Sequence, residues 1–396
     1  MHEKRHGWLR LTWLALTVVA ASAAAEGPEA VGVFDSGPRF NPATWECAGG
    51  HQIEKRSITF DSGKIRYTFA YQGCTDPSHG EQRPCAEGNF GMPEPTTANF
   101  YWGGFLRVFI NGQDAFTFRL AEMRVIERGT RGACQIVWMH PDAQVGLRLM
   151  MLPASNHVLA LLSWKPRAGA ELKTVTATLT CYPSFFTAAR GRKGERHCAT
   201  PRTDVAEPQV LELKPHDDTY LLYYDAVFDV AKGEGDGPCA AIIAPDAVQS
   251  GTVQLTDYPV ITTVNLDPQA GQARMAFYDF TGHTNADAAA YLRAHAAEDL
   301  AELRAADFRP KAVTGLDPQR LRRDIEALLD EAGDDADPLR PQVQDLLTRV
   351  GSLKTQADAG DWKAEADLAE TLAGSEDLLW KLRTFAVLNN PTAREE

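Results

Sequence analysis

"QIVWMHPDAQVGLRLMMLPASNHVLALLSW", residues 135–164, decides the fold. Three apolar runs are broken by His140-Pro141-Asp142-Ala143 and Pro153-Ala154-Ser155-Asn156, both made of residue types that turns select. Side chains alternate across a strand, so Val145, Leu147, Leu149 and Met151 share one face while Met150 and Leu152 take the other. In the next run Leu159 and Leu161 oppose Val158, Ala160, Leu162 and Trp164. Both faces are apolar, the pattern of central strands covered on both sides, so a second sheet or helices from elsewhere in the chain must supply the cover. Each fully buried Leu or Met contributes about 1.5–3 kcal/mol, and stability alone accounts for the run. Turn chemistry likewise accounts for His140, Asp142 and His157, which stand in or beside the breaks.

The period of two extends from about residue 50 to 283. "KIRYTFAY" alternates Ile65, Tyr67, Phe69 and Tyr71 against Lys64, Arg66 and Thr68, and Asp61-Ser62-Gly63 joins it to "SITF" as a hairpin. In "FLRVFINGQDAFTFRL", Asn111-Gly112 supplies the two positive-φ residues of a type I′ turn. Further short strands are expected at about 122–128, 133–139, 144–152, 157–165, 171–181, 210–214, 219–230, 239–244, 252–265 and 273–280. Strands at that spacing without intervening helices predict a large antiparallel β-sandwich, possibly a two-sheet supersandwich, over 26–283.

After Thr281 the pattern changes to a helical one, and residues 284–396 are expected to form an α-helical C-terminal module. "NADAAAYLRAHAAEDLAELRAADF" is Ala-rich, Asp317-Pro318 opens a second helix with Leu321, Ile325, Leu328 and Leu329 on one stripe, and Asp337-Pro338 opens a third with Val343, Leu346, Leu347, Val350 and Leu353 aligned. A fourth stretch starts near Asp361, with a break at Gly374-Ser375. This tail carries 23 acidic and 14 basic residues, a solvated acidic face. Asp334-Asp335-Ala336-Asp337 lacks the remaining ligands of a calcium loop and reads as an interhelical link.

Residues 1–25 carry Lys4, Arg5 and Arg10, an apolar run from Leu11 to Ala21, and small residues through Ala25, the layout of a secretory signal peptide. The run falls short of the roughly 20 apolar residues a membrane anchor needs. The expectation is an exported chain, periplasmic or extracellular, with no membrane span after cleavage. In an oxidising compartment seven cysteines imply disulfides with one left over. Short loop closure favours Cys74 with Cys85 and Cys181 with Cys198; strand alternation makes Cys134 a buried free thiol, and Cys47 with Cys239 remains. The cluster Cys74, His79, Cys85 matches no zinc spacing, so neither metal nor cofactor is expected. The formal net charge is −13, and loss of a leader with three basic residues and one acidic makes it more negative. Nucleic acid is therefore excluded as a partner class, since phosphate binding needs a basic face.

The long loop 72–104 ends in "NFYWGGF". Tyr101 and Trp102 beside Gly103-Gly104 offer either a flat platform for sugar rings or a plug that seats the loop on the core. "AARGRKGERHC" concentrates Arg190, Arg192, Lys193, Arg196 and His197 in an acidic protein, so its guanidinium groups are candidates for carboxylates or sulfates of an acidic polysaccharide, if they are not simply a solvated run. "DDTYLLYYDAVFD" places Tyr223 and Asp225 on one face and Tyr224 on the other. No hydrolase, zinc-protease or phosphate-loop motif is present. In architecture alone such a chain resembles the two-sheet sandwiches of sugar mutarotases and polysaccharide lyases, without matching a motif of theirs. The leading expectation is an exported non-catalytic binding or assembly protein with carbohydrate as its ligand. One alternative is a carbohydrate-active enzyme of lyase, epimerase or hydrolase type using His or Tyr with a carboxylate on the same sheet face. Another is a protein-interaction module acting through the helical tail.

Overall fold

The computed structural model describes residues 30–42, 51–74, 88–187 and 191–389. Among the described residues the strands form three antiparallel sheets. The first comprises β1 (Gly32–Asp35), β2 (Arg39–Pro42), β3 (Gln52–Asp61), β4 (Arg66–Cys74) and β5 (Asn89–Glu94). A second runs β15 (Val210–Leu213), β18 (Val248–Leu255), β19 (Val260–Leu266), β12 (Val175–Cys181), β6 (Leu106–Ile110), β7 (Gln113–Asp114). The largest has the order β14 (Asp204–Ala206), β13 (Arg196–Ala199), β16 (Leu221–Asp225), β17 (Cys239–Ile243), β20 (Gln272–Asp279), β11 (His157–Pro166), β10 (Ala143–Met151), β9 (Gly132–Met139), β8 (Arg119–Glu127).

Residues 135–164 are three consecutive strands of the largest sheet, paired with Leu147 opposite both Ile136 and Leu162. Val145, Leu147, Leu149, Met151, Val158, Ala160, Leu162 and Trp164 enter the core shared with the other two sheets. Met150, Leu159 and Leu161 enter a second core whose far side is helical. The second cover is thus α1 (Asn285–Ala305), packing Leu292, Leu300 and Leu303 on the sheet, with Ala366 of a later helix beside it. Asn111 and Gly112 have φ of 50° and 82°, the hairpin geometry that the sequence demanded. The region expected at 252–265 is two strands, because Asp257-Tyr258-Pro259 turns the chain and Thr256 N–H donates to the Pro259 carbonyl at 3.2 Å.

A short α2 (Lys311–Thr314) is followed by α3 (Pro318–Ala332), α4 (Arg340–Asp358), α5 (Trp362–Gly374) and α6 (Glu376–Asn389). Thr284 and Asp287 form a capping box on α1, while Asp317 and Asp361 accept backbone N–H bonds at the starts of α3 and α5. The fourth helical stretch divides where Gly374-Ser375 stands. Ile325, Leu329, Val343, Leu347 and Leu382 make a separate helical core. Among the described residues no helix is long and apolar enough to cross a membrane.

The leader and Cys47, His79 and Cys85 lie outside the described residues, and with them the Cys74–Cys85 bridge. Cys134 is the buried free thiol expected of it. The Cys181–Cys198 bridge is not formed: both are free, buried thiols, as is Cys239. Cys181 ends β12 in one sheet, whereas Cys198 lies in β13 of the facing sheet, opposite Tyr223, which in turn stands opposite Cys239.

Candidate functional site

The outer face of the first sheet carries a groove whose floor follows from register. Across β3, β4 and β5, Ser57, Ala70 and Gly91 stand side by side, with the row Lys55, Gln72, Asn89 next to it. The alternate residues, Ile58, Phe60, Phe69, Tyr71 and Phe90, are buried beneath. A row of small residues between polar ones leaves a concavity of about 460 Å³, lined by Arg39, Lys55, Arg56, Gln72, Asn89 and Trp102 among others.

One wall comes from the aromatic segment, whose three rings have three different environments. Phe100 is fully buried against Phe105 and Phe277, with ring centroids 5.5 Å away in each case. Tyr101 is half-buried, 5.1 Å from the Tyr182 ring. Trp102 is 51% exposed. Its backbone lies directly on Gly91, where a Cβ would come within 1.7 Å of the Trp102 carbonyl oxygen, so only glycine admits this approach.

No carboxylate is among the described lining residues. Arg39 and Lys55 are exposed cations. Arg56 forks onto Asp35 at 3.2 and 2.7 Å. Burial would raise the Asp35 carboxyl, but the Arg56 contacts and the Gly37 N–H together hold it below its usual range. Asn89 Oδ1 is buried beside Gly104 with no hydrogen-bond partner among the described residues.

A second concavity, about 630 Å³, lies between one end of the largest sheet and the start of α1, lined by Asp204, Tyr224, Asn285 and Arg293. Tyr224 O–H donates to Asp204 Oδ2 at 2.5 Å, and His197 Nδ1 lies 3.1 Å from both Asp204 Oδ1 and the Tyr224 oxygen. The imidazole stacks on the Tyr224 ring at 4.7 Å. Burial, then the bond to Asp204, pushes the Tyr224 phenol well up, so it stays a neutral donor. His197 Nε2 and Asn285 Oδ1 are buried without hydrogen-bond partners among the described residues.

The basic segment is divided. Arg190 lies outside the described residues. Arg192 is exposed, pairs with Glu234 at 2.7 Å and lies 5.1 Å above the Phe228 ring. Arg196 is fully buried, 3.2 Å from Asp225, and donates to the carbonyls of Pro183 and Phe185. It belongs to β13, a strand that the charge run concealed. Tyr223, on the core face, bonds Thr262 at 2.8 Å. The groove's own cations, Arg39 and Lys55, carry no motif, and the signal for Lys55 is the alternation of Lys55 and Ser57 with Arg56 and Ile58 in "EKRSITF". On α6, Trp380 and Val387 are 66% and 57% exposed.

Neither a family model nor a curated protein sequence matches the chain. Similar solved structures include a TPR-domain containing protein from Parabacteroides distasonis, with a TM-score of 0.35 and 8% identity over 65% of this chain and 56% of that one. An alpha-mannosidase from Enterococcus faecalis gives 0.32 and 10% over 62% and 30%, and the GH36 alpha-galactosidase AgaA from Geobacillus stearothermophilus 0.31 and 12% over 56% and 40%. The chain therefore spans less than two thirds of each of these proteins, and likeness at this level carries no argument about function.

Proposed function

We propose that the protein binds carbohydrate in the groove of the first sheet and that its ligand is an acidic saccharide. The observation that carries this reading is the half-exposed Trp102 standing over a concavity lined by three cations, of which Arg56 is paired with Asp35, three amides and, among the described residues, no carboxylate. A sugar ring presents an apolar C–H face that stacks on an indole. Lys55 and Arg39 supply the charge for carboxylate or sulfate groups, while Gln72 and Asn89 offer donors and acceptors for hydroxyls. Because Arg196 is spent on Asp225, the charged part of recognition moves from the segment after Thr187 to the groove.

Trp102→Ala is expected to weaken binding by roughly 1–3 kcal/mol, the scale of planar rings stacked on aromatic side chains. With half its surface in solvent, it should change folding stability by no more than about 1 kcal/mol. Lys55→Ser should weaken binding mainly at low salt, since its charge acts through screened water. A glycan array with thermal melts of both variants is the check. A blank array for wild type, with Trp102→Ala strongly destabilised, would reduce Trp102 to a packing residue and end the proposal.

A second reading, a carbohydrate-active enzyme, is favoured by the Tyr224–Asp204–His197 cluster. A neutral phenol, a carboxylate and an imidazole whose Nε2 lies 3.6 Å from Glu195 Oε1 are the group types general acid–base chemistry uses. Tyr224→Phe should abolish any turnover of oligosaccharides while leaving groove binding intact. Wild-type protein that binds glycans but leaves their linkages and stereochemistry unchanged by NMR would dismiss this reading alone.

A further inference from the structure

At the junction of the largest sheet with α1, three potential metal ligands converge: His157 at the start of β11, and Asp299 and Glu302, three residues apart on α1. One donor atom from each lies within 4.8 Å of the others. His157 Nε2 is 3.3 Å from Glu302 Oε2, close to the edge of a tetrahedron with bonds of about 2.0–2.1 Å. His157 and Asp299 are 5% and 8% exposed, whereas the Glu302 side chain is 39% exposed, so the group is buried on one side and open to solvent on the other.

Two features separate this group from an ordinary ion pair. The first is charge. Asp299 is buried and Glu302 partly exposed beside it, and among the described residues no lysine or arginine pairs with either, so one imidazole faces two carboxylates. The second is the surrounding shell. His157 Nδ1 is 3.2 Å from Asn156 Oδ1, a contact that holds the ring with Nε2 facing Glu302. Tyr278 O–H donates to Asp299 Oδ2 at 2.9 Å, with Tyr291 O–H at 3.5 Å, fixing that carboxylate and leaving its other oxygen for a ligand. Orienting donors of this kind hold first-row metal ligands in place.

We propose that His157, Asp299 and Glu302 bind one divalent first-row metal ion, zinc being the best match to a mixed nitrogen and oxygen set, and that the ion fastens α1 to the sheet. Calcium is disfavoured, because it takes six to eight oxygen ligands. The ion would neutralise the excess negative charge at the junction, and its effect would be read in the docking of the helix rather than in turnover.

The test uses the full chain, stripped with chelator and dialysed, then titrated with zinc chloride by calorimetry, with calcium chloride as control. The expected result is one saturable zinc site and a rise in melting temperature on loading. His157→Gln should abolish both, and Asp299→Asn should weaken binding at least tenfold. Tyr278→Phe, which removes only an orienting hydroxyl, should cost roughly ten- to hundredfold in affinity. Should His157→Gln fail to fold, Tyr278→Phe and Glu302→Gln carry the same test. Absence of saturable zinc binding by wild type, or the same affinity and melting shift in the variants, would overturn the proposal and leave a histidine–glutamate ion pair.

Discussion

Glu365→Ala should be among the most damaging single substitutions in the helical half of the chain. Arg148 rises from the middle of β10 into the helix-covered face of the sheet and is 2% exposed. Its guanidinium donates twice to Gln135 Oε1, at 2.8 and 2.7 Å, and lies 3.3 Å from Glu365 Oε1 and 4.1 Å from the Trp362 ring centroid. Gly146 makes room for that indole, since a Cβ there would sit 2.6 Å from Trp362 Cζ3. Burial pulls the Arg148 pKa down while Glu365 pushes it back, so the acid is what keeps a buried charge tolerable. Stripping one partner from a buried pair costs about 3–5 kcal/mol. The second partner of Glu365, Arg309, is 38% exposed and adds at most about 1 kcal/mol. Replacing both charges by apolar groups, Arg148→Met with Glu365→Leu, removes the uncompensated ion. The double variant should return to within about 2 kcal/mol of wild type, the residue being the lost donors to Gln135. Guanidinium unfolding with linear extrapolation measures each value. A Glu365→Ala variant within about 1 kcal/mol of wild type, or a double variant worse than the single, would refute the electrostatic reasoning.

Two further outcomes test other parts of the fold. Asp279 is buried, and although Thr281, Asn99 and Thr96 hydrogen-bond it, burial dominates and raises its carboxyl from 3.8 to about 6. The folded state thus holds this proton to higher pH than the unfolded chain, and the stability present below about pH 4 is lost as pH rises through 6. Between pH 4 and 7 the stability difference should move by roughly 2 kcal/mol in favour of Asp279→Asn, and a flat difference would contradict the assignment. Cys134, Cys198 and Cys239 are buried, and burial raises each thiol. Iodoacetamide should leave them unmodified in native protein and label them, with Cys181, after denaturation; a non-reducing peptide map showing Cys181 joined to Cys198 would contradict their being free thiols.

The groove and the Tyr224 cluster were partly visible in the sequence, but as scattered residues. Trp102 drew notice because aromatics beside paired glycines are conspicuous, whereas Lys55, Gln72 and Asn89 are ordinary polar residues on ordinary strands. What makes them a row is the pairing of β3 with β4 and of β4 with β5, across connections that no local pattern measures. His197 and Arg196 looked like one basic loop. Alternation in β13 instead sends Arg196 inward to Asp225 and His197 outward to Tyr224, because register flips consecutive side chains to opposite faces.

Whatever depends on near neighbours is legible in the chain alone: the alternation that makes strands, the Asn111-Gly112 turn, the capped helices, and the two apolar faces of residues 143–164 that required a cover on each side. Local propensity and periodicity are written in consecutive residues, so they can be read there. Only the tertiary structure decided that α1 is the second cover, that Cys181 and Cys198 belong to facing sheets, and that His157 meets Asp299 and Glu302. Those contacts join residues far apart in the chain, and their energies depend on distances and burial that exist only once the chain has closed on itself.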